Sequence, residues 1–482
     1  MKRHFWLAAL LLPALAPARD LGELSFTPCT LTSEGALTSI AAHCTTLEVP
    51  EDRAAADGRR IALSIAWVAP EAGEATSDPV FLLAGGPGQS AREGYPALER
   101  AFADLARHRN VILVDQRGTG DSHRLSCESD ETLDADDSIE AVAGHARDCL
   151  AALSQRADVR HYTTTEAVAD LDAVRQAIGA PTINLIGVSY GTRVAQQYMK
   201  AHPSSVRSVV LDGVVPNTLV LGQDHAKNLD ATLATQFRQC AELPACAEKL
   251  GDPQARFRAL AEELRAAPRK VHYRDATSGE PKDGEFSYPM LSALLRLYAY
   301  QPAIAATLPV LLDDLSRGES DAAMAQAQLL LSSMGDAMAH GMGLSVSCTE
   351  DADELHPDPS DADTVLGGEF VAYIKAHCAI WPRGQRPADF REPARGDVPV
   401  LLLSGELDPV TPPRYGDEVA QHLDHARHLV LRGQGHNVIG VGCTPKLVAR
   451  FIESTDPDAL DAQCLERLAT LPPFTGHYGW EP

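Results

Sequence analysis

Short apolar runs alternate with helical patterns along much of the chain. Residues 61–68 follow a period of two, which predicts a strand. Short apolar runs of the kind found in strands covered on both faces predict five more, at residues 80–83, 111–114, 183–188, 209–211 and 400–403. Residues 163–166 match a capping box, and a helical pattern follows until Gly179 and Pro181. This alternation predicts an α/β protein, with a mostly parallel sheet and helices on both faces.

The alternation stops between residues 224 and 395. This segment is rich in Ala and Leu, has no convincing buried strand, and predicts helices at residues 227–241, 253–266, 289–300, 302–316, 320–339 and 365–378. Strands directly precede and follow it, so we expect a large helical lid inserted between late strands of one sheet. An independent helical domain on a linker is the alternative. The predicted divisions are a signal peptide, a first part of the core, the lid and a second part of the core, at residues 1–18, 19–223, 224–395 and 396–482.

The first residues have the pattern of an export signal. Lys2 and Arg3 form a basic segment, and residues 5–15 form an apolar segment that is too short to span a bilayer as a helix. Residues 16–18, Ala-Pro-Ala, match a cleavage site and predict removal after Ala18. An uncleaved membrane anchor is the competing interpretation. We therefore expect an exported protein, periplasmic or secreted, without stable membrane insertion.

The ten cysteines all follow this segment, and their even number fits a disulfide-bonded exported protein. A metal site is the alternative, but the sequence has no CxxC pair. Sequence alone does not fix the connectivity, so pairing of sequence neighbours is a hypothesis. The pairs would be Cys29–Cys44, Cys127–Cys149, Cys240–Cys246, Cys348–Cys378 and Cys443–Cys464.

The charge balance excludes one class of partner. Across 482 residues, Lys and Arg number 42 and Asp and Glu number 66, which gives a formal net charge of −24. A protein this negative repels phosphate backbones, so we expect no nucleic-acid binding by counterion release. Hydrophobic residues at 45% and charged residues at 22% are typical of a globular protein.

Residues 187–191, Gly-Val-Ser-Tyr-Gly, fit the G-x-S-x-G pattern of a nucleophile elbow, a tight strand-to-helix turn that exposes a serine. Side chains two places either side of the serine would clash in such a turn, which explains the glycines. The bare pattern also arises by chance. Its position between a predicted strand and a helical run favours Ser189 as a nucleophile over an ordinary turn serine.

A nucleophilic serine needs a general base, and the base needs an acid that orients it. In this type of fold the order along the chain is serine, acid, histidine. Asp408 follows one predicted strand and His436 follows the next, so both lie at carboxyl ends of strands. Glu406 and Asp212 are rivals for the acid, and His436 has the alternative of an ordinary loop residue. The chain order favours a triad of Ser189, Asp408 and His436.

The tetrahedral intermediate of acyl transfer needs two N–H donors for its oxyanion. We predict them at Tyr190, directly after the nucleophile, and at Gly86, in the Gly-Gly-Pro-Gly loop after strand 80–83. That loop also fits a loose dinucleotide-binding pattern, which we discount because Pro87 lies inside the turn.

A second turn motif, Asp-Gln-Arg-Gly-Thr-Gly-Asp-Ser at residues 115–122, follows another predicted strand. Asp115 or Arg117 aimed at the active site is one interpretation, but a hydrogen-bonded turn that braces the oxyanion loop is favoured. The sequence contains no HExxH motif, no P-loop and no zinc-like Cys/His cluster, so we infer neither a metal nor a cofactor.

Together these motifs resemble the α/β-hydrolase superfamily, and within it the secreted prolyl and tripeptidyl aminopeptidases of the proline iminopeptidase family. The matching segments are GGPG at 85–88, DQRGTGDS at 115–122, GVSYGT at 187–192, LDGVV at 211–215, GELDPVTP at 405–412 and GQGHN at 433–437. The resemblance implies an α/β-hydrolase fold, the same three triad residues, and hydrolysis of a peptide bond near a free N-terminus. The chain departs from many members at Ala84, where they have His. We interpret this difference as an adjustment of the activity and not as its loss.

An exopeptidase of this kind must bind the ammonium group of its substrate, and carboxylates on the lid are the natural means. Residues 348–351, Cys-Thr-Glu-Asp, resemble a Cys-x-acid motif in the lid of the secreted subgroup. The resemblance implies Glu350 as the amine-binding residue, with Asp351 in reserve. A solvated acidic loop is the alternative.

Two other functions stay open on sequence grounds. An esterase or amidase for small acyl groups uses the same triad, so the triad does not distinguish it from a peptidase. A non-catalytic binding protein on the same fold is disfavoured because all three triad residues are present. The number of residues released, the preferred side chain and the oligomeric state are left open.

Overall fold

A computed structural model describes residues 18–33, 38–55, 57–70, 76, 78–127 and 138–480. The predicted signal peptide lies outside the described residues except for Ala18. Within the described residues the strands are β1 Arg19–Leu21, β2 Leu24–Thr32, β3 Ser39–Pro50, β4 Arg60–Val68, β5 Val80–Leu83, β6 Val111–Val114, β7 Ile183–Val188, β8 Val206–Asp212, β9 Arg269–Arg274, β10 Pro281–Phe286, β11 Val400–Gly405 and β12 Ala426–Leu431.

The α-helices of the described residues divide between the two parts of the core and the insertion. They are α1 Ala91–Ala106, α2 Ile139–Leu153, α3 Thr164–Ala177, α4 Tyr190–Ala201, α5 His225–Glu242, α6 Pro244–Leu250, α7 Pro253–Ala266, α8 Tyr288–Ala299, α9 Pro302–Ala305, α10 Leu308–Ser316, α11 Asp321–Ala337, α12 His340–Glu350, α13 Glu369–Ile380, α14 Pro413–Ala420 and α15 Thr444–Ser454. None of these helices is long and apolar enough to cross a membrane.

Ten strands form one sheet in the order β1-β2-β3-β4-β6-β5-β7-β8-β11-β12. The six strands from β6 to β12 in this order run parallel, while β1 to β4 are antiparallel and attach along β6. The prediction of a mostly parallel sheet is therefore confirmed. The strands β2 and β3 escaped prediction because most of their side chains are exposed or only half-buried and lack an apolar pattern.

The apolar central strands are covered on both faces. Phe81 and Ile112 pack in the core beneath α3 and α4, whereas Leu82 and Leu113 pack in the core that includes α1 and α15. Successive side chains of a strand point to opposite faces, so a strand that is apolar throughout needs both layers of helices. The sequence prediction of helices on both faces is confirmed by this arrangement.

The insertion between β8 and β11 contributes to two cores. Helices α5, α7, α8, α10 and α11 surround a core of their own that includes Leu233, Phe257 and Leu294. Helix α12 instead contributes Met342 and Val346 to the core of the sheet. The structure adds a hairpin, β9 and β10, which sequence analysis missed because its side chains are mostly exposed. The single helix expected over residues 302–316 is divided into α9 and α10.

All ten cysteines lie in the described part of the chain, and the structure pairs them as sequence neighbours: Cys29–Cys44, Cys127–Cys149, Cys240–Cys246, Cys348–Cys378 and Cys443–Cys464. The Cys348–Cys378 bond joins α12 to α13 across 30 residues, whereas Cys240–Cys246 spans 6 residues. All four of these side chains are buried.

Loss of the Cys348–Cys378 bond by a double substitution to serine is expected to lower the free energy of unfolding by about 3.5 kcal/mol, because the bond restricts a long loop of the unfolded chain. The double variant Cys240→Ser/Cys246→Ser is the matched control. Its cysteines are equally buried but its loop is short, so the expected loss is about 2 kcal/mol. Urea unfolding of the oxidised proteins measures both losses, and a larger loss for the short loop contradicts the prediction.

Candidate active site

Ser189 occupies the tight turn between β7 and α4. Its φ of 54° and ψ of −121° form a conformation that residues other than glycine rarely adopt. The Ser189 N–H donates to the Asp212 carbonyl at 2.8 Å and so ties the turn to the end of β8. A Cβ on Gly191 would lie 2.2 Å from the Leu83 carbonyl oxygen, and one on Gly187 would lie 2.5 Å from the Gly191 carbonyl oxygen. The glycines of the motif are therefore required by backbone packing.

His436 and Asp408 meet at the same edge of the sheet, where His436 Nδ1 lies 2.7 Å from Asp408 Oδ2. The backbone N–H groups of Val410 and Thr411 each donate to Asp408 Oδ1 at 2.8 Å, and the Thr411 hydroxyl donates to Oδ2 at 2.9 Å. An ionised carboxylate only accepts hydrogen bonds, so Nδ1 of His436 carries the hydrogen and Nε2 is the basic nitrogen.

Burial acts on both members of this pair, but their mutual attraction is stronger. Burial alone would lower the pKa of His436, and the charge and hydrogen bond of Asp408 outweigh it, so that this pKa lies above its ordinary value. Burial alone would raise the pKa of Asp408, and the charge and hydrogen bond of His436, with two backbone N–H donors, hold that pKa below its ordinary value. The pair therefore favours a negative Asp408 and a more basic His436.

The two rival acids have other partners. Asp212 accepts from the Val438 N–H at 2.9 Å and from the Ile439 N–H at 2.9 Å, so it orders the loop after His436, and burial raises its pKa to about 6. Glu406 is exposed and accepts from the Gly433 N–H at 2.7 Å. Among the described carboxylates, the one hydrogen-bonded to the His436 ring is Asp408.

The insertion contacts the histidine directly. The His436 N–H donates to the Tyr300 carbonyl at 2.9 Å, and the two rings meet edge to face with centroids 5.3 Å apart. A Cβ on Gly435 would lie 2.2 Å from the same carbonyl oxygen, and one on Gly213 would lie 3.0 Å from Cε1 of His436. Sequence analysis missed Tyr300, because an isolated aromatic residue at the end of a helix carries no motif.

The predicted oxyanion donors flank the nucleophile. Tyr190 begins α4, and N–H groups in a first helical turn have no partner within the helix. Gly86 is exposed, with a φ of 104°, in the loop after β5. A Cβ on the neighbouring Gly85 would lie 3.2 Å from Cβ of Ser189, so this loop passes close to the nucleophile. The roles of Gly86 and Tyr190 as donors stay a prediction.

The turn after β6 forms hydrogen bonds with the residues that directly follow the predicted oxyanion loop. The buried Asp115 accepts from the Ser90 hydroxyl at 2.6 Å and from the Arg92 N–H at 3.1 Å, and Ser90 caps α1 directly after the loop. Arg117 is also buried and forms an ion pair with Asp170 at 2.6 Å. These contacts agree with the expected bracing turn rather than with residues aimed at the active site.

Glu350 and Asp351 lie in the interior at the end of α12, each with 0% exposure. Glu350 accepts from the Thr164 N–H at 2.7 Å and from the Thr164 hydroxyl at 2.9 Å, and burial raises its pKa to about 7. Asp351 is paired with Arg193 at 3.0 Å and with Arg391 at 2.9 Å. Binding of a substrate amine to either carboxylate needs an opening that this structure does not contain, so that assignment stays a prediction.

A chain of hydrogen bonds links Glu350 to the elbow. The Thr164 hydroxyl lies 2.6 Å from the Tyr190 hydroxyl, and the Gln116 amide donates to the same Tyr190 hydroxyl at 3.2 Å. Because Tyr190 directly follows Ser189, these hydrogen bonds connect Glu350 with the elbow. Sequence analysis gave no sign of this connection, since its members lie far apart along the chain.

The chain is similar to several known hydrolases. The family model for the alpha/beta hydrolase fold matches residues 78–442. Serine protease Hip1 of Mycobacterium tuberculosis is 25% identical, over 92% of this chain and 91% of that protein. Tripeptidyl aminopeptidase of Streptomyces coelicolor is 24% identical, over 89% and 84%, and carboxylesterase B of Mycobacterium tuberculosis is 27% identical, over 86% and 85%. A solved proline iminopeptidase of Mycobacterium smegmatis aligns over 86% of this chain and 100% of its own, with a TM-score of 0.40 and 18% identity.

The pH dependence of kcat/KM tests the histidine–aspartate pair. A general base must be neutral, so activity should rise with pH as His436 loses its proton. Asp408 raises that pKa, so we expect a midpoint above 6.5, the ordinary value for histidine. Asp408→Asn should lower the midpoint and reduce the rate about 10⁴-fold, a loss of the size known for the chymotrypsin triad. Glu406→Gln is the control, and it should keep both the pH midpoint and the rate of the wild type. A wild-type midpoint below 6.5 contradicts the assignment of His436 and Asp408 as the catalytic pair.

Proposed function

This chain belongs to the alpha/beta hydrolase fold family and is a serine hydrolase, and we propose that it is an exported exopeptidase that cleaves peptide bonds near a free N-terminus, of the prolyl or tripeptidyl aminopeptidase type. The observation that carries the proposal is the strained Ser189 at the same sheet edge as the hydrogen-bonded His436–Asp408 pair. A serine held in this way, with a buried imidazole base in the loop after β12, suits attack on an acyl carbon.

In the proposed reaction, Oγ of Ser189 attacks the scissile carbonyl carbon while Nε2 of His436 takes its proton. The charge of Asp408 stabilises the imidazolium that forms, and the N–H groups of Gly86 and Tyr190 receive the oxyanion. His436 then gives the proton to the leaving amine, which departs and leaves an acyl-enzyme. A water molecule, deprotonated by His436, hydrolyses the ester bond and restores Ser189.

Three observations support the peptidase and export parts of the proposal. The relatives named serine protease Hip1 and tripeptidyl aminopeptidase align with 92% and 89% of the chain, which extends the similarity beyond the triad segments. The insertion after β8 forms a separate core and contacts the catalytic histidine through Tyr300. Five disulfide bonds, together with the signal-like first 18 residues, favour export.

An esterase acting on small acyl groups is the second candidate function. The relative named carboxylesterase B, 27% identical over 86% of the chain, favours it, and the same triad serves both reactions. The two candidates differ in what they require of the substrate. A peptidase of the proposed type needs a free amino group, whereas a simple esterase is indifferent to it.

Ser189→Ala should abolish turnover with a loss on the order of 10⁶-fold, the size seen when a triad serine is removed from subtilisin. A fluorophosphonate probe should label the wild-type protein at Ser189 and should not label the variant. Ser333→Ala is the matched control, because Ser333 is an exposed serine of the insertion that binds only the carbonyl of its own helix. Labelling of a different serine, or an active Ser189→Ala protein, overturns the triad.

Acetylation of the substrate N-terminus should lower kcat/KM by at least about 100-fold, because a charge-assisted hydrogen bond is worth about 1.5–3 kcal/mol and a carboxylate is left unpaired as well. The measurement uses chromogenic peptides with free and blocked N-termini. Equal rates on the two forms refute the aminopeptidase proposal, and rapid turnover of simple acyl esters then favours the esterase.

Glu350→Gln separates two roles for that carboxylate. If Glu350 receives the substrate ammonium, the variant should lose activity on free-amine substrates only, and the ratio of free to blocked kcat/KM should collapse. If Glu350 instead supports Tyr190 through Thr164, both substrates should lose activity equally. A blocking effect that survives in Glu350→Gln moves amine binding to Asp351 or to another carboxylate of the lid.

A further inference from the structure

The insertion holds an arginine that has no carboxylate partner. Arg296 on α8 is partly exposed, and its guanidinium carbon lies 5.2 Å from the centre of the Phe370 ring. Within the described part of the chain, its guanidinium forms no ion pair and no hydrogen bond. A partly enclosed guanidinium gives up hydration, and the cation–π contact with Phe370 restores only part of that loss.

The position of Arg296 is set by its neighbour on the helix. Tyr300 follows four residues later and keeps a right-handed helical conformation, with a φ of −63° and a ψ of −31°. Residues four apart lie on the same face of a helix, with Cβ atoms about 5–6 Å apart. Tyr300 contacts the catalytic His436 through both its carbonyl and its ring. Arg296 therefore lies one helical turn from the residue that touches the general base.

His225 belongs to the same group of side chains as Arg296 and Phe370. The His225 ring stacks on Phe370, with centroids 5.6 Å apart and planes 20° apart. Burial lowers the pKa of His225 to about 3, and the charges of Arg296, His436 and Asp408 all act on it as well. The imidazole is therefore neutral at working pH. In this group of His225, Arg296 and Phe370, which we call the Arg296 cluster, Arg296 carries the charge.

Arg296 lacks a carboxylate partner in a protein that is rich in carboxylates. The protein has 66 acidic and 42 basic residues, so carboxylates are abundant. Among the arginines of the insertion, Arg391 pairs with Asp351 and Arg386 pairs with Glu354. Arg265 packs on the Tyr288 ring and donates to the Thr364 carbonyl, a hydrogen bond of a kind that Arg296 lacks among the described residues. A cation left without a carboxylate one helical turn from Tyr300 can bind an anionic group that comes from outside the chain.

We propose that Arg296 binds a carboxylate of the substrate, so that the enzyme prefers peptides with a carboxylate near the scissile bond. The proposal rests on the function proposed above and adds a class of substrate to it. The same chemistry has two sources, which are an Asp or Glu side chain and the free C-terminus of a short peptide. The planar guanidinium of Arg296 is suited to bidentate binding of either one.

The test uses pairs of peptides that differ only in the carboxylate. Glu is compared with Gln at each of three positions on either side of the scissile bond, and a free C-terminus is compared with an amide. We expect the wild-type protein to prefer the carboxylate in at least one pair by about 10–100-fold in kcat/KM. Which pair responds identifies the source of the carboxylate. A ratio measured on one preparation does not depend on its active fraction.

The Arg296→Gln variant should bring that ratio to about 1, and Arg296→Lys should keep part of it, because Lys retains the charge without the planar bidentate geometry. Arg258→Gln is the matched control. Arg258 is an exposed arginine on α7 of the same insertion, and its replacement should leave the ratio unchanged. A wild-type protein with no preference in any pair, or a preference that survives in Arg296→Gln, overturns the proposal.

Failure of the proposed function gives a different result. Labelling of Ser189 by a fluorophosphonate and cleavage of the neutral Gln peptides test that function without reference to Arg296. If the protein cleaves esters and no peptides, the aminopeptidase assignment fails and the carboxylate is tested on esters. The wild type should then prefer a succinate monoester over a butyrate ester by about 10-fold or more, and Arg296→Gln should show no such preference. The same preference in the two proteins overturns the role of Arg296.

Discussion

The backbone contact between the nucleophile turn and the end of β5 is the constraint on which the active site depends. Gly191 lies so close to the carbonyl of Leu83 that no Cβ fits between them. This approach forces Ser189 into a conformation that costs about 1–3 kcal/mol. The hydrogen bond from Ser189 to the end of β8, and the buried face of α4, hold the turn in that state. The strain is thereby maintained by the core of the sheet, not by the residues of the site.

The insertion contacts residues that are predicted to be catalytic. It holds the backbone of His436 through the carbonyl of Tyr300, and it holds the oxyanion loop through a hydrogen bond of 2.9 Å from the Ala339 N–H to the Gly88 carbonyl. A displacement of the insertion would therefore act on the predicted base and on the predicted oxyanion loop.

Sequence predicted the parts of this protein whose signal is local. The central strands were predicted because burial on both faces requires unbroken apolar runs. The Ser189 motif was predicted because its turn requires glycines at positions where side chains would clash. The exposed ribbon of β2 and β3 and the hairpin of β9 and β10 lack such runs. Tyr300 and Arg296 were missed for another reason. Their roles come from contacts with residues far away in sequence, and nothing in their immediate neighbourhood signals those contacts.

Glu350 and Asp351 illustrate why adjacent carboxylates of one motif need separate treatment. Asp351 faces two arginines, and its loss leaves Arg193 with Glu350 at 3.9 Å and Arg391 with Glu354 at 3.3 Å. Removal of one partner of a buried ion pair typically costs about 3–5 kcal/mol of stability. Glu350 faces a backbone N–H and a hydroxyl, with Arg193 farther away at 3.9 Å, and burial outweighs the charge of Arg193 and raises the pKa of Glu350 to about 7. A neutral amide at position 350 therefore preserves most of the local charge balance, whereas one at position 351 does not. For this reason a substitution at Glu350 reports on function, while one at Asp351 reports first on folding.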